Sequence, residues 1–329
     1  MTKQKSDLSR AFSEDGAIKT HVGGQALIEG ILMRGPEKQA IVVRNQNGGL
    51  EVQEQTRTFT KENYPILGIP FLRGIVSFVG SLVVGIKALS WSAEFYPEDE
   101  EEPKSKFETW VETRFGEKAL TNWITGVAML AGLVFAVALF IVLPTLATSA
   151  LLHFFPDAPM WVRNLLEGVV KLVIFFLYLY LCSKMKDIHR TFQYHGAEHK
   201  TIFCYEAGEE LTVENVRKQG RFHPRCGTSF MFVLIIIATI VSSIVFSIID
   251  ITNPFLRMLA HLILLPLVVG ISYEFNRYAG RSESVISRAL RWPGLMIQHL
   301  TVFEPDDSMI EVAITAMKEV IPDDGSDEW

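Results

Sequence analysis

Charge is missing from two long stretches of this sequence. No Asp, Glu, Lys or Arg occurs between Ala119 and Phe155, and none between Gly227 and Ile249. A helix needs about 20 mostly apolar residues to cross a bilayer, and both stretches exceed that length. Hydrophobic residues make up 49% of the 329, too many for a soluble enzyme with ordinary loops. Cysteine is scarce. The three present, Cys182, Cys204 and Cys226, are an odd number without the spacing of a disulfide framework. No basic stripe interleaved with aromatics occurs, so direct nucleic acid binding is not expected. The polar opening "MTKQKSDLSRAFSEDGAIKT" lacks the apolar core of a signal peptide, which predicts an uncleaved, cytosolic start. Glycines at 23, 24, 30 and 35 fit neither G-x-G-x-x-G nor a P-loop, which argues against a nucleotide site of either kind. The formal charge of −6 comes largely from "EDEEE" (98–102) and the tail "DDGSDEW", both of which read as solvated segments.

Four spans are expected, near 121–145, 163–183, 227–250 and 255–274, with Pro144 kinking or ending the first. Glu167 and Lys171 can pair on one face of the second. The apolar stretch 66–93 is different. Arg73 and Lys87 leave 13 uncharged residues between them, which suits an interfacial or re-entrant helix better than a span. Orientation follows from loop charge. Segment 184–226 holds eight Lys and Arg, whereas 146–162 and 251–254 hold none, which places 184–226 in the cytoplasm. Residues 1–118 and the arginine-bearing C-terminal part (Arg277, Arg281, Arg288, Arg291) then fall on the same side. Trp123, Trp161 and Tyr273 fit an aromatic belt.

The expected architecture is a polytopic α-helical membrane protein in the cell (inner) membrane, both termini cytoplasmic. It has about four transmembrane helices, one interfacial or re-entrant helix, and a small cytoplasmic α/β layer. In order come a cytoplasmic N-terminal segment with a β-hairpin (1–65), the interfacial or re-entrant helix (66–93) and an acidic linker (94–118). The first transmembrane pair (119–183), a cytoplasmic loop (184–226), the second pair (227–274) and a cytoplasmic C-terminal segment (275–329) follow. The hairpin is read from β-branched alternation around "NQNGG" within 39–59. Thr212 is a candidate N-cap for a short helix over 211–220.

The chemistry-bearing stretch is "YHGAEHKTIFCY", 194–205. His195 and His199, four apart, share one helix face and can chelate one metal ion. Glu198 sits on the shoulder of that face. H-x-x-E-H is the order of the inverted zincins, whose glutamate acts as general base on the metal's water. Gly196 weakens the helix by about 1 kcal/mol relative to Ala and leaves room for another segment to approach. A second cluster, "RFHPRCGTSF", brings His223 and Cys226 just ahead of a span, and His and Cys are the commonest zinc side chains. Two metal arrangements are open. In one, His195, His199 and a third ligand (His223, Cys226 or Glu206) leave a position for water. In the other, His195, His199, His223 and Cys226 close a structural tetrahedron. A third reading has no metal and hydrogen-bonded core histidines.

"GGQALIEGILMRGP", "YHGAEHKTIFCYE", "LTVENV", "HPRCGTSF" and "PGLMIQHLTVFEPDD" resemble the YqhQ-like bacterial membrane proteins, a domain-of-unknown-function family described as predicted metal-dependent enzymes. The resemblance covers about residues 20–320. It implies metal chemistry at His195, Glu198, His199 and His223, with Cys226 beside them. "LTVF" stands where two consecutive threonines are expected, away from this cluster.

Among other candidates, Glu29 is expected to pair with Arg34 or reach the metal layer, and Glu274 and Arg277 to anchor a span end. His153, His261 and His299 are isolated, and His261 is expected to pack or bond a neighbouring helix. Cys182 and Cys204 read as small packed residues. The expected function is a zinc-type metal-dependent hydrolase at the cytoplasmic membrane face, with Glu198 catalytic and metal ligands drawn from His195, His199, His223 and Cys226. The alternative is a non-enzymatic membrane scaffold whose structural metal site recruits a cytosolic partner. Expected partners are the lipid bilayer, with a homo-oligomer and a cytosolic protein left open. A small-solute transporter is disfavoured, because four spans lack interrupted helices and intramembrane charges.

Overall fold

The structure is a computed structural model describing residues 11, 18–57, 65–96, 106–281, 284–322 and 325–327. The acidic run 98–102, nearly all of the polar opening and much of the acidic tail lie outside those residues. The strands are β1 (Gly23–Leu27), β2 (Gly30–Arg34), β3 (Lys38–Arg44) and β4 (Leu50–Thr56). The first helices are α1 (Leu72–Ala93), α2 (Lys106–Phe115), α3 (Glu117–Val137) and, after a π-helical segment at Ala138–Val142, α4 (Leu143–Leu152). There follow α5 (Met160–Lys184), α6 (Lys186–Glu206), α7 (Val213–Arg217), α8 (Gly227–Ile249), α9 (Pro254–Arg281), α10 (Val285–Thr301) and α11 (Asp307–Lys318). Two compact units divide the chain: 1–96, 178–237 and 265–329 form one, 97–177 and 238–264 the other.

In the first unit the strands form an antiparallel meander in sequence order. Side chains alternate across a strand, so each strand serves both faces. Ile31, Met33, Ala40 and Val42 join one core with Tyr194 and Ala197 of α6 and Met309, Val312 and Met317 of α11. Leu27, Leu32, Ile41 and Val43 form the opposite core under Ala88 of α1, flanked by Val84 and Trp91. The hairpin between β3 and β4 turns at Asn45, whose Oδ1 accepts the N–H groups of Asn47 (3.1 Å) and Gly49 (2.8 Å). Gly48 supplies the positive φ that the turn requires, +83°. Asp306 caps α11 by accepting the Met309 N–H at 3.0 Å. Asp306→Ala is expected to cost about 1 kcal/mol, read as a lower denaturant midpoint with secondary structure content unchanged.

Five helices among the described residues are long and apolar enough to cross a membrane: Leu72–Ala93, Trp123–Leu152, Met160–Lys184, Gly227–Ile249 and Pro254–Ala279. The sequence argued for four, and α1 is the addition. Its 22 residues form one helix, not a re-entrant pair. Its second half rests on the sheet: Ser81 accepts from Arg34 at 3.1 Å, and Ala88 belongs to the sheet core. Arg73 near its start pairs with Glu274 of α9, its Nε 2.7 Å from Oε1. Glu274 therefore anchors α1 to α9 within this unit.

In the second unit Pro144 does not end the first span. The helix widens through the π-helical segment and continues to Leu152, making a run of 30 residues. A π-segment relieves the missing N–H and ring clash of a following proline. Leu130, Leu133 and Phe135 on this run are 61%, 62% and 58% exposed, an apolar surface of the kind a bilayer would cover. Gly168 of α5 packs directly under Thr239 of α8.

Candidate metal centre

Helix α6 runs unbroken through Gly196 because another backbone crosses there. A Cβ at Gly196 would collide with the Phe303 carbonyl oxygen. The crossing segment is held by the Phe303 N–H, which donates to the Phe192 carbonyl at 3.0 Å. The same crossing brings the Thr301 carbonyl to His195, whose Nδ1 lies 2.9 Å away. One turn along α6, His199 Nδ1 lies 2.5 Å from the Arg221 carbonyl. Carbonyl oxygens only accept, so each ring carries its proton on Nδ1 and presents the Nε2 lone pair. Metal-ligating histidines are oriented in this way.

Both Nε2 lone pairs face Cys226. His195 Nε2 is 3.2 Å from Cys226 Sγ, and one ligand atom from each of His195, His199 and Cys226 lies within 4.8 Å of the other two. Tetrahedral zinc with N and S ligands spaces them about 3.3–3.6 Å apart; the His195–Cys226 pair is at that spacing, and the trio as a whole is looser. Burial pushes the Cys226 thiol up, but His199 beside it and hydrogen bonds from Thr228 bring it below the ordinary thiol value. Burial lowers His199 to about 4, which keeps its ring neutral and able to ligate.

Glu198 points beside this trio. Its Oε1 accepts the Gly24 N–H at 3.0 Å, while Oε2 is buried with no hydrogen-bond partner. Burial raises its carboxyl to about 7; Cys226 adds to the rise, and His195 and the Gly24 N–H oppose it. Gly24 permits the contact, since a Cβ there would sit 2.7 Å from the Leu32 oxygen and 2.9 Å from Glu198 Cδ.

His223 lies outside the trio. Its backbone is clamped by Gln298, which accepts the His223 N–H and donates to its carbonyl, both at 2.8 Å. Its ring faces Glu206, 3.7 Å from Nε2 to Oε2, and its centroid is 5.5 Å from that of His199. Glu206 is likewise engaged, by Arg225 and by the Thr20 N–H at 2.9 Å. The Glu206 carboxyl is lowered: burial raises it, but His223, Arg225 and the Thr20 N–H outweigh burial. Of the candidate ligands, the structure thus gathers His195, His199 and Cys226. Glu29 pairs with Arg190 and accepts from Tyr194 at 3.0 Å, so Arg34 is not its partner. Gly24, Gln298 and the Arg221 and Thr301 carbonyls carried no signal in the sequence, because three of them act through the backbone.

The trio and Glu198 line a cavity of about 1350 Å³. Six arginines line it too, Arg34, Arg57, Arg73, Arg225, Arg277 and Arg291, of which Arg73 and Arg225 are paired with Glu274 and Glu206; among the described residues Glu198 is the one carboxylate of the lining. Apolar side chains such as Val76, Val84, Phe230 and Val233 complete the wall.

No solved structure shows significant similarity to the chain. "Uncharacterized protein YqhQ" of Bacillus subtilis (strain 168) is 32% identical over 302 residues, covering 91% of this chain and 92% of that protein. Residues 69–323 match the family described as "Protein of unknown function (DUF1385)". With a match over most of its length and a relative aligned nearly end to end, the chain belongs to the DUF1385 family.

Proposed function

We propose that the protein is a metal-dependent hydrolase working at the cytoplasmic face of the membrane on an anionic, partly apolar substrate. The observation that carries this reading is the convergence of two Nε2 lone pairs and a thiol, each imidazole oriented by a backbone carbonyl. His195, His199 and Cys226 would hold the ion. A zinc-type ion supplies a Lewis acid that polarises a carbonyl or phosphoryl oxygen and acidifies water. Three ligands rather than four leave a position open, as catalytic zinc sites do. Glu198 is the base: its unpartnered Oε2 takes a proton from the attacking water and returns it to the leaving atom. A carboxyl near 7 is matched to that exchange at neutral pH.

Arg73 and Arg225 have carboxylate partners in Glu274 and Glu206, and the other arginines of the lining, Arg34 foremost, favour an anionic group in the cavity. Burial lowers Arg34, whose Nε is buried without a hydrogen-bond partner, and burial with the neighbouring Arg34 lowers Arg57. An entering phosphate or carboxylate would relieve both. The apolar wall and the seating of α1 across the sheet support a substrate drawn from the bilayer surface, and the charge of 184–226 supports a cytoplasmic site.

The test is elemental analysis of the detergent-purified protein. Wild type and Glu198→Gln are expected to carry about one zinc-type ion per chain, and Cys226→Ala and His195→Ala to lose it. Wild type that stays metal-free after incubation with zinc and manganese removes the basis of the proposal. Metal that is lost in His223→Ala as well as in His195→Ala favours the closed structural site of a scaffold.

A further inference from the structure

The second unit buries four ionisable side chains against one another. Glu167 and Lys171 lie one turn apart on α5, and Arg257 and His261 one turn apart on α9, all within helices able to span a membrane. None is more than 8% exposed. Ionisable groups at such positions are costly, and function is the default reason for keeping them.

Glu167 is the hub. Its Oε2 receives Arg257 Nη2 at 2.6 Å and Nε at 3.2 Å. Arg257 is fully committed, with Nη2 also on Asn164 Oδ1 (2.8 Å), Nη1 on the Ile251 carbonyl (3.0 Å) and its plane 4.2 Å over the Phe246 ring. One arginine therefore already balances the one carboxylate. Lys171 is a further cation in the same enclosure.

The other oxygen carries the conflict. Glu167 Oε1 accepts from Thr145 Oγ1 at 2.9 Å and also faces His261 Nε2 at 2.7 Å and Lys171 Nζ at 3.2 Å. Lys171 Nζ and His261 Nε2 are themselves 3.1 Å apart. An imidazole nitrogen either donates or accepts. As a donor to Glu167, Nε2 meets an ammonium that is also a donor. As an acceptor from Lys171, it meets a carboxylate that is also an acceptor. All three contacts can be hydrogen bonds only when one proton is rearranged. Either Lys171 is an amine accepting from Nε2–H, or the Glu167 carboxyl holds a proton that it donates to Nε2.

We propose that Glu167, His261 and Lys171 form a proton-binding site inside the membrane-spanning unit, exchanging one proton with water through the His261 ring. A fixed ion-pair knot would balance its charges and give each nitrogen one role. This one does neither. The charged groups around the triangle are these three and Arg257, from α5 and α9, while α4 contributes Thr145 and α8 contributes Phe246. Thr148 Oγ1, one turn on from Thr145, is buried with no hydrogen-bond partner. The π-helical segment Ala138–Val142 lies just before these threonines, and such segments mark functional sites more often than chance.

The experiment is solid-state NMR of the full-length protein in lipid vesicles, labelled with ¹⁵N-histidine and titrated from about pH 5 to about pH 9, the range in which imidazoles change charge. The His261 signals are assigned by their loss in His261→Gln. Should that variant fail to assemble, Phe246→Leu assigns them, because the Phe246 ring lies 5.0 Å from this imidazole. The expected result is conversion of Nε2 between protonated and bare forms, with a midpoint that Lys171→Gln moves by about one pH unit or more, tenfold in proton affinity. Signals that hold one form across the range overturn the proposal in favour of a fixed ion-pair knot. A midpoint unmoved by Lys171→Gln overturns it too, since the proton would not be shared.

Discussion

His199→Ala is expected to lower zinc affinity by at least about 100-fold, beyond the 10–100-fold usually lost with an outer hydrogen-bond partner of a ligand. One of three ligand atoms disappears, and His195 with Cys226 makes only a two-point site. The fold suffers as well. The Arg221 carbonyl loses its 2.5 Å partner, and a side chain only 1% exposed is removed from between the His195 and His223 rings. Competition with a chromophoric chelator reads the affinity, and thermal unfolding reads the fold. Glu198→Gln is the matched comparison. It alters the same turn of α6 without removing a ligand atom, and it should keep the metal while activity falls about 10²–10⁴-fold, the usual share of a general base. Full zinc affinity in His199→Ala would mean that the trio is not the metal site.

Gly196→Ala carries the other large effect. The added methyl meets the Phe303 carbonyl, a backbone atom that cannot rotate away. Either α6 or the 301–305 segment must move. Movement breaks the Phe303 N–H bond to Phe192 and withdraws the Thr301 carbonyl from His195. The expected cost is about 3 kcal/mol or more, the range of strain and buried-network losses, together with weakened metal binding. Gly126→Ala and Gly132→Ala serve as controls, because a Cβ at either meets nothing within 4 Å. Removing those helical glycines should be neutral or stabilising by about 0.5–1 kcal/mol. If Gly196→Ala behaves like the controls, the crossing is not tight.

Much of the helical plan was readable, because spans announce themselves by runs without charge and the turn at Asn45–Gly49 by its residue types. Two span features were not. Pro144 was read as a kink or a terminus because proline removes a helical donor, and the π-helical widening ahead of it lets the helix continue. Arg73 and Lys87 pointed to an interfacial or re-entrant helix over 66–93, and the structure has there one helix of 22 residues, long and apolar enough to cross a membrane. Arg73 is neutralised by Glu274, a partner some two hundred residues away that local pattern could not supply. At the candidate metal centre, residue types and spacing singled out His195, Glu198, His199 and Cys226. They also put His223 forward, which the structure places beside the trio with its ring on Glu206 and its backbone on Gln298. The buried charges of the second unit were half visible: Glu167 and Lys171 were read as pairing on one helix face, while Arg257 and His261 join them only once α5 and α9 are packed together.

The groups that orient His195, His199 and Glu198 are all main chain: the Thr301 carbonyl, the Arg221 carbonyl and the Gly24 N–H. They come from the end of α10, the loop before α8 and the first strand. No ordinary side-chain replacement deletes them; at position 24 only proline would. The centre is accordingly tied to the course of three separate backbone segments. It would come apart whenever one of them drifts, even with every ligand residue intact. Metal retention would then double as a reporter of native assembly, lost in variants that leave the strand, loop or C-terminal segment out of place, and usable for sorting correctly built protein from misassembled protein in detergent.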